Sequence, residues 1–167
     1  MGFLGKLLGK DSSLELKDVM MNLELLADAE AQIADFYRLC AGAMPKEKDL
    51  WNHLADQELE HSNIVMKMLG RIAGEPTHYN PGISFNTVTI RLFDVEMQRL
   101  VEQMNQGRIS SEKLFSIALE IENSAVELSY ATLVKTDDAI YNMLAHQVDT
   151  ESAEHKSAIT SKMKLHS

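Results

Sequence analysis

A single cysteine, Cys40, rules out a disulfide within the chain, and the absence of a Cys-x-x-Cys pair rules out a sulfur cage for zinc or iron. Cys40 is expected to be a small core residue. Three prolines and eight glycines in 167 residues leave long stretches with nothing to break a helix. No run of about 18 apolar residues occurs, so no membrane span is expected. Basic charge is also scarce: 16 Lys and Arg stand against 25 Asp and Glu, a formal net charge of −9. That balance argues against a duplex nucleic-acid binder, which needs a basic face. The lysines near the start are followed by an apolar run too short and too broken by glycine for a secretory signal, so a cytoplasmic setting is expected.

What the chain does have is acidic residues where helix seams should be apolar. From Ser12 to Met44, apolar residues recur at steps of three and four: Leu16, Val19, Leu23, Leu26, Ile33, Tyr37, Cys40 and Met44. Glu30 fills the one missing step. A second seam runs through Trp51, Leu54, Val65, Met68 and Ile72, and its missing steps are Glu58 and His61. Such spacing keeps residues on one helix face, so these three side chains are expected to point inward. The second half repeats the device. Phe115, Ala118, Ala125, Ser129 and Leu133 flank Glu122, while Ile140, Leu144, Gln147, Ala158 and Leu165 flank Glu151 and Glu154. A carboxylate removed from water costs several kcal/mol unless it is paired or binds a metal.

The spacing also sets heights. Glu58 follows Glu30 by 28 residues and Glu151 follows Glu122 by 29. Hairpin turns near Pro45 and Thr136 put each member of a pair about 14 residues, or roughly 21 Å, from its turn. All four levels then meet near the middle of a bundle. Residues 74–85 hold two prolines and two glycines and read as an irregular crossover. Residues 86–106 read as a further helix with a stripe of Val88, Leu92, Val95, Leu100 and Met104, long enough to carry the chain back along the bundle. The fourth helix can then run parallel to the second. Expected caps are Ser12 with Glu15 for the first helix, Ser110 or Ser111 for the fourth, and Thr136 for the fifth. Asp94, Glu96 and Glu102 read as a solvated face, and His53, His78, His146 and His166 as residues outside the site. Residues 1–11 carry Phe3, Leu4, Leu7 and Leu8 beside Lys6 and Lys10, an amphipathic arm that packs on the bundle or a neighbour, with membrane-surface docking as the alternative.

A Glu from each of two helices, with an i, i+3 pair from each of the others, is the di-iron or di-manganese carboxylate pattern. Over residues 12–165 the chain resembles the ferritin-like superfamily, and within it the rubrerythrin-type di-iron domain. The motifs are Glu30 with Tyr37 seven residues on, Glu58-Leu-Glu-His61, Ala118-Leu-Glu-Ile-Glu122, and Glu151-Ser-Ala-Glu154-His155. The resemblance implies an all-α, ferritin-like four-helix bundle whose long crossover contains an extra helix. It implies Glu30, Glu58, His61, Glu122, Glu151 and Glu154 as metal ligands for two iron ions, with Zn or Mn as alternatives. It implies Tyr37 as the tyrosine that hydrogen-bonds a ligand carboxylate across the bundle. His155 would orient a carboxylate or ligate directly. The implied activity is oxidoreductase chemistry on peroxide or dioxygen, peroxidase- or ferroxidase-like, in a homodimer. Two departures stand out. Ala125 occupies the place of an additional glutamate three residues after Glu122, and there is no rubredoxin-like cysteine module, so electrons would come from an external donor. The competing readings are a metal-binding protein without turnover and a helical dimerisation or docking module.

Overall fold

The computed structural model describes residues 15–83, 87–124 and 129–165. The arm at 1–11, Ser12, Ala125 and His166 lie outside them. The described residues form five α-helices and one two-stranded ladder. They are α1 (Leu16–Ala43), α2 (Lys48–Gly74), α3 (Thr87–Asn105), α4 (Leu114–Glu122) and α5 (Ala139–Leu165). The chain is all-α in class. No helix among the described residues is long and apolar enough to cross a membrane.

The α1–α2 hairpin turns where expected. Pro45 opens a short 3-10 turn, Pro45–Glu47, that leads into α2, its fixed φ suiting a first helical position. Glu15 precedes α1, and its N–H donates to the Asp18 carboxylate at 3.3 Å. Contacts between helices give their directions. Arg71 meets Asp138, His61 meets Glu151 and Lys162 meets Glu47, so α5 runs antiparallel to α2. Thr87 donates to Asn22 and Gln32 to Asp94, so α3 runs parallel to α1. The crossover helix thus carries the chain back to the Pro45 end, where α2 begins. Phe115 stacks on Trp51 and Glu122 lies beside the His155 that also meets Glu58, so α4 runs with α2.

Two turns depend on glycine. Gly107, at φ 65°, ends α3. The N–H of Gly107 reaches Met104 and that of Arg108 reaches Gln103, which closes the last turn of the helix. Gly82 lies against the segment before α5, and a Cβ there would stand 2.2 Å from the Thr132 carbonyl oxygen. This close approach extends the ladder of β1 (Asn80–Pro81) and β2 (Val134–Lys135), in which Asn80 faces Lys135 and Pro81 faces Val134.

The apolar core has two halves. One holds Leu23, Leu26, Ile64, Met68, Tyr141 and Val148. The other holds Ile33, Phe36, Trp51, Leu54, Phe115 and Ile159. On every long helix that crosses both, the residues between the halves are polar and buried: Glu30 on α1, Glu58 and His61 on α2, Ser152 and His155 on α5. Glu122 on α4 is buried with them.

Four expectations are corrected. The fourth helix does not run on to Thr136; α4 ends at Glu122. Farther on, Asp149 accepts from the Ser129 hydroxyl and the Tyr130 N–H, which holds Tyr130–Thr132 as a 3-10 turn instead of continuing a helix. The cap of α5 is Asp138 and not Thr136: its carboxylate accepts from the N–H groups of Ile140 and Tyr141. Thr136 instead donates to the His78 carbonyl. On α3 the buried residues are Ile90, Met97 and Leu100, while Val88, Leu92 and Val95 are exposed. The bonds of Thr87 and Asp94 to α1 set that rotation, so Asp94 is half-buried rather than solvated. Glu96, Glu102, His53, His78 and His146 are exposed as expected.

The fourth correction bears on the site. The buried stripe of α5 is Tyr141, Ala145, Val148, Ser152, His155 and Ile159. The stripe expected from sequence, through Ile140, Leu144, Gln147, Glu151 and Glu154, lies one residue away and is rotated by about 100°. Ile140, Gln147 and Glu154 are consequently exposed.

Candidate metal centre

Glu58 and His61 sit one turn apart on the buried face of α2, because the seam from Trp51 to Ile72 passes through both. His61 Nδ1 is 3.0 Å from Glu58 Oε2, and its Nε2 is 2.9 Å from Glu151 Oε2. His155 enters from α5, with Nδ1 2.7 Å from Glu58 Oε1 and 3.5 Å from Glu122 Oε1. The Tyr37 hydroxyl donates to Glu122 Oε1 at 2.6 Å. A string of polar contacts therefore crosses the bundle from Glu151 through His61, Glu58, His155 and Glu122 to Tyr37. The imidazoles of His61 and His155 lie face to face, centroids 5.3 Å apart and planes 25° apart. Gln57 holds the far nitrogen of His155, at 3.1 Å from Nε2.

Glu30 is buried in the same layer, and its Oε1 accepts from the Tyr130 hydroxyl. The two lone glutamates are thus held reciprocally. Tyr37 of the first half reaches Glu122 of the second, and Tyr130 of the second reaches Glu30 of the first. Glu151 stands at the rim, its side chain 25% exposed, with Gln147 donating to its other oxygen. Glu154 faces solvent and joins none of this. His155 takes the inward place expected of Glu154.

The charges of the cluster are strongly coupled. Burial pushes the Glu58 carboxyl up, but the imidazoles of His155 and His61 against it outweigh burial and hold it down at about 2. Burial pushes His155 down, but Glu122 and Glu58 raise it to about 10. Burial and then the neighbouring Glu58 charge raise Glu122, against the opposing pull of His155 and Tyr37. The His155 imidazole thus lies between the carboxyl groups of Glu58 and Glu122. Cys40, on the same helix face as Tyr37, has its thiol pushed up by burial, as suits an inert core residue.

The donor set fits a metal. One ligand atom each from Glu58, His61 and His155 lies within 4.8 Å of the others, and all three residues are buried. Glu58 Oε1, His155 Nδ1 and Glu122 Oε2 are buried atoms without an aligned hydrogen bond. Buried polar atoms normally have one. Mixed carboxylate and imidazole donors suit iron, manganese or zinc. Sequence reasoning missed Tyr130 and Gln57. Tyr130 lies off any helical stripe, and Gln57 precedes Glu58 on a flank of α2, so periodicity gave no signal for either.

Comparison with family models, with curated proteins and with solved structures gave no match for this chain.

Proposed function

We propose that this chain is a di-metal carboxylate protein of the ferritin-like, rubrerythrin type, which carries iron and reacts with peroxide or dioxygen. The observation that carries the reading is a polar layer at one level of an otherwise apolar core, with donors of Glu58, His61 and His155 within 4.8 Å of one another. Glu30, Glu58, His61, Glu122 and His155 would hold the ions, with Glu151 at the rim. Bound iron would supply the electrons for reduction of the oxidant, and an external donor would restore them.

The chain's own residues have separable tasks. Tyr37 and Tyr130 fix the orientation of Glu122 and Glu30. Gln57 engages Nε2 of His155, which leaves Nδ1 directed at Glu58 and Glu122. The apolar halves on either side exclude water and strengthen every charge interaction between them. Tyr37 is the residue best placed to hold or give a proton at Glu122 Oε1.

A metal site without turnover would use the same donors. The exposure of Glu154 favours it, since one of the expected ligands is withdrawn. Anaerobic Fe(II) loading, a metal count per chain, and then peroxide addition separate the two readings. Bound iron with a rapid rise in near-ultraviolet ferric absorbance, both lost in Glu58→Ala, supports the redox reading. Bound iron that peroxide leaves unchanged supports the other. A chain that binds neither iron, manganese nor zinc would overturn both.

A further inference from the structure

The layer is built as two matching halves with one mismatch. On α2, Glu58 precedes His61 by three residues. On α5, Ser152 precedes His155 by three, and Ser152 is buried at 4% exposure on the same face. The two imidazoles stack on each other across the antiparallel pair. Glu30 and Glu122 match as well, each held by a tyrosine from the other half. Ser152 alone breaks the correspondence, for it puts a short neutral hydroxyl where α2 presents a carboxylate.

We infer that the two metal positions are unequal: one divalent ion binds tightly, and a second binds weakly because Ser152 stands in place of a ligand carboxylate. This rests on the di-metal reading above. A hydroxyl is a poor ligand beside a carboxylate, since it brings no charge to offset the dehydration of a dication and cannot bridge two ions. The buried donors, Glu30, Glu58, His61, Glu122 and His155, comprise three carboxylates and two imidazoles, enough to complete one shell but not two. Glu151 is no substitute, because its carboxylate is held at the rim by His61 Nε2 and Gln147.

The test is an anaerobic Co(II) titration of the full chain by calorimetry, with bound metal counted after dialysis. The wild-type protein is expected to take up a first ion per chain with an affinity on the order of 10- to 100-fold above any second. Ser152→Glu, which restores the match to α2, is expected to bring the second affinity close to the first. Ser152→Ala is expected to keep the unequal pattern, and it shows whether the position tolerates change without loss of fold. Two ions bound with equal affinity by the wild-type chain would overturn the inference and leave the di-metal reading standing. So would loss of a tight second ion in Glu151→Gln, which would make Glu151 the sixth ligand. Failure to bind any ion would overturn the metal reading itself.

Discussion

Tyr37 on α1 donates a 2.6 Å hydrogen bond to Glu122 on α4, across 85 residues of chain. That contact joins the first hairpin to the second half at the level of the polar layer. Tyr37→Phe removes the donor and leaves the ring packed against Phe36 and Trp51. The expected outcome is a folded protein destabilised by about 1–2 kcal/mol in urea. Its metal affinity should fall on the order of 10-fold, since Glu122 is no longer oriented. Equilibrium unfolding and a metal titration read the two effects separately. An unchanged affinity would remove Tyr37 from the site.

The rotation of α5 makes opposite predictions for neighbours. His155→Ala should abolish tight metal binding, because it removes a buried donor beside Glu58 and Glu122. Glu154→Ala should leave metal content and stability within about 0.5 kcal/mol of wild type, since the side chain is exposed. Metal analysis of the two purified variants checks this. The reverse result would restore the seam through Glu151 and Glu154.

Metal should stabilise the fold, because the donors converge only in the folded chain. At a free ion concentration about 100 times Kd the gain is about 2.7 kcal/mol. For a chain of this size that raises Tm by roughly 5–11 °C. Differential scanning calorimetry with Mn(II) or Zn(II) measures it without redox side reactions. Glu58→Ala should show no rise with either ion.

Asp138 carries the pH dependence outside the metal layer. Hydrogen bonds from Arg71 hold its carboxyl well below the ordinary Asp value, with further help from Tyr79 and the N–H groups of Tyr141 and Ile140. A carboxyl depressed in the folded state adds stability above its unfolded pKa of about 3.9. That stability is lost as pH falls from there through the lower folded value. Asp138→Asn should therefore lower the urea midpoint at pH 6, and the gap from wild type should narrow as pH falls below about 4. A gap that stays constant down to pH 2 would show that the Asp138 charge adds nothing.

Much of α1 and α2 was readable from the sequence. Their seams, the turn at Pro45, the stop at Gly74 and the inward set of Glu30, Glu58 and His61 all appear in the structure. Each seam has one dominant apolar stripe, so periodicity alone picks the buried face. On α3 and α5 two stripes compete, with Val88, Leu92 and Val95 against Ile90 and Met97, and Ile140 and Leu144 against Tyr141 and Ala145. The competing stripes are one residue apart on α5, about 100° of rotation, and two residues apart on α3, about 160°; both are apolar enough to bury, so the pattern of residue types hardly separates them.

The sequence by itself determined the helical class, the absence of a disulfide within the chain, and the placing of carboxylates and a histidine at the middle of two helices. Those follow from local periodicity and composition, which involve only residues a few positions apart. Tertiary structure decided which of Glu154 and His155 faces inward, where α4 ends, and that Tyr130 reaches Glu30. Each of these depends on a partner distant in the chain. Asp138 capping sets the start of α5, Asp149 holds the turn at Tyr130, and Glu58 with Glu122 draws in the His155 imidazole. Such contacts gain their energy only once the helices are packed and water is excluded, so no local pattern records them.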